Sequence, residues 1–160
     1  MAHTEEPIII RWATRWDREA VCALVAALAR QHGVEPAPDD LREAFEFALR
    51  NPDEYRFCVA ARGKEVVAVA ALHRAYSSWH GKPYGTIEDV YVAEHARRGG
   101  LASRLLDFLR QEAVRRGYCR LSLDVLEDNE AAQACYRRFG MIDSGYRVYE
   151  MELQDAPESG

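Results

Sequence analysis

A chain of 160 residues is about the length of one domain, and 48% hydrophobic with 29% charged residues describes a chain that buries a core, not a disordered one. The formal net charge of -5 argues against nucleic acid as a partner, since such a partner selects for a basic surplus. Cys22, Cys58, Cys119 and Cys135 form no C-x-x-C pair and each lies in an apolar stretch, so reduced buried thiols are expected and no metal site. The start of the chain has no basic region followed by an apolar run, and the longest apolar run, residues 66–72, is too short to cross a bilayer. We therefore read a cytoplasmic protein with no membrane contact.

Ile8 to Trp12 reads as a first strand. Thr14 with Asp17 three residues on forms a weak capping box, followed by Ala20, Leu24, Ala27 and Leu28 at helical spacing up to Gly33. Asp40 with Glu43 forms a second box, and Leu41, Phe45 and Leu49 line one face of a second helix that Pro52 ends. Residues 55–61 and 66–74 read as strands around a tight turn, residues 76–85 as a loop, and residues 86–92 as another strand. A long helix is expected over residues 100–116, with Ala102, Leu106, Leu109 and Ala113 inward. Alternation over residues 119–125 gives a strand, residues 130–139 a short helix closed by Gly140, and residues 145–153 a last strand. That order is α/β: one domain over residues 1–160, with a mixed sheet and helices on both faces. A polar tail, expected to fray, follows from residue 154.

Residues 90–103 carry the strongest chemical signal. A strand, Val90-Tyr91-Val92, runs into the glycine-containing turn Arg97-Arg98-Gly99-Gly100, which opens a helix at Leu101-Ala102-Ser103. The first N–H groups of a helix have no partner inside it, and the dipole leaves positive charge there. Together they suit a pyrophosphate, with glycines allowing close approach and Arg97 and Arg98 adding charge-assisted bonds. The turn is neither a Walker loop nor G-x-G-x-x-G.

Arg97-Arg98-Gly99-Gly100-Leu101-Ala102 matches the pattern Gln/Arg-x-x-Gly-x-Gly/Ala, and in it the chain resembles the GNAT acetyltransferase superfamily. Nearly the whole chain shares the resemblance in element order, spacing and length. A second motif follows: Asn129, Ala132, then Tyr136 and Gly140, similar to Asn-x-x-Ala-x-x-x-Tyr-x-x-x-Gly. The resemblance implies the GNAT fold, a mostly antiparallel sheet, and acetyl-CoA as co-substrate. It implies that the backbone of Val90, Tyr91 and Val92 pairs with the pantetheine arm, that the amides from Arg98 to Ser103 hold the pyrophosphate, and that Asn129 and Ala132 belong to the same cofactor site.

Acyl transfer to an amine needs a base for the ammonium, donors for the thioester oxygen and a proton for the leaving thiolate. The resemblance gives Tyr136 the last task, and a main-chain N–H near Val90 the oxyanion. Glu88 and Asp89 start the cofactor strand. Neighbouring strand residues point to opposite faces, so only one of them should meet the substrate; Glu88, two residues before Val90, shares a face with Val90 and Val92 and is the expected base. Tyr76, Trp79, Gly81 and Lys82, followed by Ile87-Glu88-Asp89-Val90-Tyr91-Val92, narrow the resemblance to the diamine branch, the spermidine/spermine acetyltransferases and their thialysine-acetylating relatives. In that branch the glutamate at the Glu88 place contacts the amine.

Trp79 is then a candidate aromatic wall over the amine or an anchor for its loop. Gln31 and His32 stand where the branch often carries a Tyr-Glu pair, so His32 is a candidate acceptor contact and a second anionic one is missing. The acceptor is left open between a diamine or polyamine and a lysine analogue. Alternatives are a protein, peptide or aminoglycoside acetyltransferase, or a non-catalytic acetyl-CoA-binding module. His73, His80 and His95 read as packing or surface residues. The resemblance also implies a homodimer, with Val148, Tyr149 and Met151 as candidate contacts.

Overall fold

Alternating apolar residues build the centre of the molecule. The computed structural model describes residues 6–153. Five strands, β1 (Ile8–Trp12), β2 (Tyr55–Arg62), β3 (Glu65–Ser77), β4 (Lys82–Val92) and β5 (Leu121–Leu123), form one open sheet in the order β1-β2-β3-β4-β5. Neighbours run antiparallel except β4 and β5, which are parallel. Four helices cover it: α1 (Arg18–Gln31), α2 (Pro38–Arg50), α3 (Leu101–Arg115) and α4 (Glu130–Phe139). This is the expected α/β class.

Each face of the sheet has its own core. On one, Leu101, Leu105, Leu106 and Leu109 of α3 pack on Cys58, Ala60, Ala68, Ala70, Leu72 and Ile87, with Cys135, Tyr136 and Phe139 of α4 against the cluster. On the other, Val21 of α1 and Phe45 and Ala48 of α2 pack on Phe57, Val59, Val69, Ala71 and Tyr91. The Phe45 and Phe57 rings stack at 5.9 Å between centroids. All four cysteines are free thiols, Cys58 fully buried and the other three half-buried. Among the described residues no helix is long and apolar enough to cross a membrane.

The expected box at Thr14 forms around a more elaborate knot. Asp17 accepts the Thr14 N–H at 2.7 Å and both Arg11 guanidinium nitrogens at 2.7 and 2.9 Å. Burial pushes the Asp17 carboxyl up, but these bonds outweigh it and hold the group below the usual carboxylate range. Strand β1 is thereby tied to the start of α1.

Four expectations change. Helix α2 starts at Pro38, not after Asp40: Ala37 is its cap, and proline at the first helical position has no N–H to waste. Most of the expected loop over residues 76–85 is ladder, with Tyr76 opposite Pro83 and Ser77 opposite Lys82, so its glycine and proline sit in the last rungs of a long hairpin. Strand β5 keeps three residues of the seven expected. The last strand, residues 145–153, does not form. Alternation makes a strand only where a second edge pairs with it, and among the described residues none does. Ile142, Tyr146, Val148, Tyr149, Met151 and Leu153 are instead 60% to 91% exposed. The tail from residue 154 and the first five residues lie outside the described residues.

Candidate active site

The glycine-containing turn before α3 is anchored from inside and open outside. Strand β4 ends at Val92, and a short helical turn, Glu94–Ala96, leads into residues 97–100. Ala96 and Leu101 are buried at either end of that turn, while Arg97, Arg98, Gly99 and Gly100 are exposed. Gly100 caps α3 at φ 71°, where glycine costs least. No side chain caps α3, and its first turn carries no acidic residue. The first turns of α1, α2 and α4 carry Glu19, Asp39 with Asp40, and Glu130. The N–H groups of Leu101, Ala102 and Ser103 thus meet positive dipole and no competing carboxylate. Arg97 is held along β4: its Nε donates to the Val92 carbonyl at 3.0 Å and its guanidinium lies 5.5 Å from the Tyr91 ring centroid. Arg98, with φ at 67°, is the second exposed cation of the turn. His95 pairs with Glu65 at 2.9 Å, away from the turn.

Next to the turn the sheet opens. Strand β5 pairs with β4 only from Gly85 to Ile87. From Glu88 onward β4 keeps β3 on one side, with Tyr91 opposite Val69 and Val92 opposite Ala68, and among the described residues no strand on the other. The backbone there is free to pair with an extended ligand. Helix α4 flanks the same region. Ser103 Oγ lies 3.7 Å from Cys135 Sγ, which brings Tyr136 beside the start of α3. Asn129 is the cap of α4: its side-chain oxygen accepts the Ala132 N–H at 3.1 Å, so these two motif residues shape the helix that carries Tyr136. Burial raises the Tyr136 phenol above its ordinary range, with Cys135 a smaller cause. The hydroxyl stays protonated at neutral pH.

The facing of Glu88 departs from strict alternation. Ala71 sits opposite Glu88 and Val69 opposite Tyr91, so Asp89 and Val90 together oppose Ala70 alone. This is a β-bulge, with Asp89 in the left-handed region at φ 54°. One extra residue inverts the parity beyond it. Val90 and Val92 pack toward α3, and Tyr91 toward α1 and α2. Glu88 lies instead on the α1 and α2 side, its Oε1 3.8 Å from His73 Nδ1. Asp89 is on that side too: the Tyr55 hydroxyl donates to its Oδ2 at 3.2 Å, and it borders a cavity of about 50 Å³ beneath α1 and α2. The sequence reading is corrected twice. Glu88 does not share a face with Val90 and Val92, and both acidic residues, not one, face the same side.

These groups influence one another. Burial raises the Glu88 carboxyl, Asp89 and Asp124 raise it further, and His73 opposes them. Burial also raises Asp89, against the Tyr55 hydrogen bond. Tyr55 is pushed above the ordinary phenol range by burial, then by Asp89 and Glu88. Tyr55, His73, Asp89 and Asp124 were not picked out as site residues from the sequence. The adjacency of Glu88 and Asp89 is the one signal the sequence carries for them.

Trp79 is not brought to Glu88. Trp79 is 87% exposed at the tip of the β3–β4 hairpin, so it anchors no core. Strand β4 runs from Lys82 through Glu88, which separates that tip from Glu88 by roughly 20 Å at about 3.3 Å per residue. Its neighbour His80 is tied into the turn, with Nδ1 2.9 Å from Ser77 Oγ. His32 is the exposed C-cap of α1.

Comparison with known proteins agrees with this geometry. Residues 16–141 match the Acetyltransferase (GNAT) family. Over 158 residues the chain is 25% identical to thialysine N-epsilon-acetyltransferase of Bos taurus, covering 91% of this chain and 92% of that one. It is 28% identical over 138 residues to aminoalkylphosphonate N-acetyltransferase of Salmonella typhimurium, covering 86% and 87% respectively. Among solved structures, a possible acetyltransferase from Clostridium difficile superimposes with a TM-score of 0.83 at 25% identity, over 93% of this chain and 99% of that one. A strand left free on one side, an uncapped helix start beside it and a family match spanning most of the length lead to one assignment: the chain belongs to the GNAT family of acetyltransferases and is an acetyl-CoA-dependent N-acetyltransferase.

Proposed function

We propose that the protein acetylates a primary amine of a small molecule, of the lysine-analogue or diamine kind, by direct attack on acetyl-CoA in a ternary complex. The observation that carries the reading is the bulge in β4. It sets Glu88 and Asp89 on one face beside the stretch of β4 that has no β5 partner. Such a face attracts an ammonium group, whose pKa is about 10.4 in water. The bound ammonium gives one proton to Glu88, and the neutral amine nitrogen then attacks the thioester carbonyl carbon, its second proton passing to the tyrosinate that remains once Tyr136 has protonated the sulfur. The backbone N–H freed at the bulge donates to the oxyanion. The C–S bond breaks, and Tyr136 gives its proton to the departing sulfur. The products are the acetamide and free CoA thiol. In this reading the pyrophosphate rests on the amides of Leu101, Ala102 and Ser103, with Arg98 beside them. The names of the bovine and Salmonella relatives, which refer to small amines, support the acceptor class.

The test is CoA-thiol release with thialysine, lysine, putrescine, spermidine, an aminoalkylphosphonate, an aminoglycoside and a lysine peptide. Turnover is expected with a small amine and not with the peptide. Tight acetyl-CoA binding without turnover of any amine refutes the reading.

We further propose a homodimer built on the C-terminal arm. Tyr149, Met151 and Leu153 alternate with Glu150 and Glu152 along a segment outside the sheet, and β5 is a short strand at a sheet edge. A second copy of the chain offers both halves of that contact, so the pairing is self-complementary. Burying each of these side chains is worth about 1.5–3 kcal/mol. Truncation after Asp143 is expected to convert a dimer into a monomer in light scattering; a wild type that is already monomeric at micromolar concentration refutes the idea.

A further inference from the structure

Asp89 occupies a backbone conformation in which glycine is the least costly residue. Its φ of 54° lies in the left-handed region, at the first residue of a bulge that glycine would fill without strain. A non-glycine residue there costs on the order of 1 kcal/mol or more, and such outliers persist where the surroundings over-determine them. The carboxylate is also turned inward. It borders the small cavity lined by Val21, Cys22, Leu41, Phe45 and Phe57, and its polar neighbour there is Tyr55. Tyr55 is itself held, edge-on to Phe57 at 5.3 Å and tilted against His73 at 6.0 Å between centroids. A strained backbone, an inward carboxylate and a half-buried hydroxyl thus meet in one hydrogen bond of 3.2 Å. None of the three favours folding by itself.

We infer that Tyr55 and Asp89 form a clamp that holds the β4 bulge and so presents Glu88 to the acceptor amine; both are positioning residues. This rests on the reading of Glu88 as the base. Glu88 faces α1 and α2 by alternation from Ile87, the bulge that follows it keeps Asp89 on that same side, and the hydrogen bond ties the bulge to β2, a strand that takes no part in the chemistry. The clamp also sets the electrostatic surroundings of Glu88. The groups that face it are Asp89 on its own strand, His73 on β3, Tyr55 on β2 and Asp124 just after β5. From α1 and α2 the lining residues of the cavity are apolar apart from the Cys22 thiol. Removing the Asp89 charge therefore makes Glu88 give up its proton at lower pH.

Three variants test this: Asp89→Gly, which fits the backbone and loses the clamp; Asp89→Asn, which keeps a hydrogen-bond acceptor for Tyr55 and loses the charge; and Tyr55→Phe. Thermal melting, steady-state kinetics and ¹³C NMR titration of the Glu88 carboxyl are read on each. Asp89→Gly should melt no lower than the wild type yet lose at least about tenfold in kcat, with acetyl-CoA affinity held. Asp89→Asn should retain at least about ten times the kcat of Asp89→Gly. In both Asp89 variants the Glu88 titration and the acid limb of kcat/KM should move to lower pH, and Tyr55→Phe should lower kcat without weakening acetyl-CoA binding. An Asp89→Gly enzyme with wild-type kcat, or a Glu88 titration unmoved in both Asp89 variants, overturns the clamp. If the wild type turns over no amine while the Glu88 titration still moves, the clamp stands and the proposed activity fails.

Discussion

A carboxylate placed at the start of α3 should move stability and cofactor affinity in opposite directions. Ser103 is the third residue of α3, exposed, in a first turn with no acidic residue and no side-chain cap. Ser103→Asp adds negative charge to the positive end of the helix, worth about 0.3–1 kcal/mol. For a domain of this size that raises the melting temperature by about 1–4 °C. The same charge stands against a bound pyrophosphate. Two phosphate charges at roughly 6 Å, with an effective dielectric between about 40 and 80, give a repulsion of about 1.5–3 kcal/mol. Acetyl-CoA should therefore bind roughly 10- to 100-fold more weakly, an effect that shrinks with added salt. Ser103→Asn controls for the lost contact with Cys135 Sγ at 3.7 Å, and should change affinity little. Differential scanning fluorimetry and isothermal titration calorimetry read the two quantities. A higher melting temperature with unchanged acetyl-CoA affinity refutes the placement of the pyrophosphate. Equal loss of affinity in Asp and Asn variants shows that the α3–α4 contact, not the charge, was at work.

Three further outcomes are expected. Tyr136→Phe should lower kcat by at least about tenfold with the KM for acetyl-CoA within about threefold, and because burial raises the phenol, the wild-type rate should show no alkaline loss from this group below about pH 10. Glu88→Gln should lower kcat/KM by roughly 10²- to 10⁴-fold and remove the acid limb, which in the wild type lies above the free glutamate value of about 4.3, since burial and Asp89 both favour the protonated form; an acid limb that survives the substitution assigns the base elsewhere. Asp17→Asn should cost about 1–3 kcal/mol in urea unfolding at pH 7. The folded Asp17 carboxyl lies below its unfolded value of about 3.9, so its contribution is present above that pH and lost as pH falls through the folded value; the gap between variant and wild type should close at acid pH, and a constant gap refutes the ionic role.

Where the sequence was legible, the signal was local. The period of α3, the tight turn between β2 and β3, and the glycine at the start of α3 each depend on residues within one or two turns of each other, and each stands where expected. The segment from Val90 to Ser103 was legible for the same reason, since strand, turn and helix start are contiguous. The cluster on the opposite face was not. It is assembled from Tyr55 on β2, His73 on β3, Glu88 and Asp89 on β4, and Asp124 beyond β5, and no spacing in the chain announces that these meet. The unformed strand at residues 145–153 shows the complementary limit. Alternation specifies that a segment can pair, but its partner is not written in the segment.

The bulge explains why parity failed where it mattered most. A β4 that continued regularly from Ile87 and Glu88 would turn Asp89 toward the apolar face of α3 and Val90 and Val92 away from it. A buried aspartate among Leu101, Leu105 and Ile87 would be costly. The inserted residue lets the strand satisfy both demands. Ile87 before it and Val90 and Val92 after it reach the α3 core, and the two carboxylates between them reach the opposite side together. The pattern Ile87-Glu88-Asp89-Val90, apolar-acid-acid-apolar, is the trace this leaves in the sequence. Two polar residues in a row between core positions cannot alternate with their neighbours, so one of them must be extra. A regular strand with that pattern would bury a charge; a strand that folds with it bends at that point, and here it bends beside the free stretch of the cofactor strand.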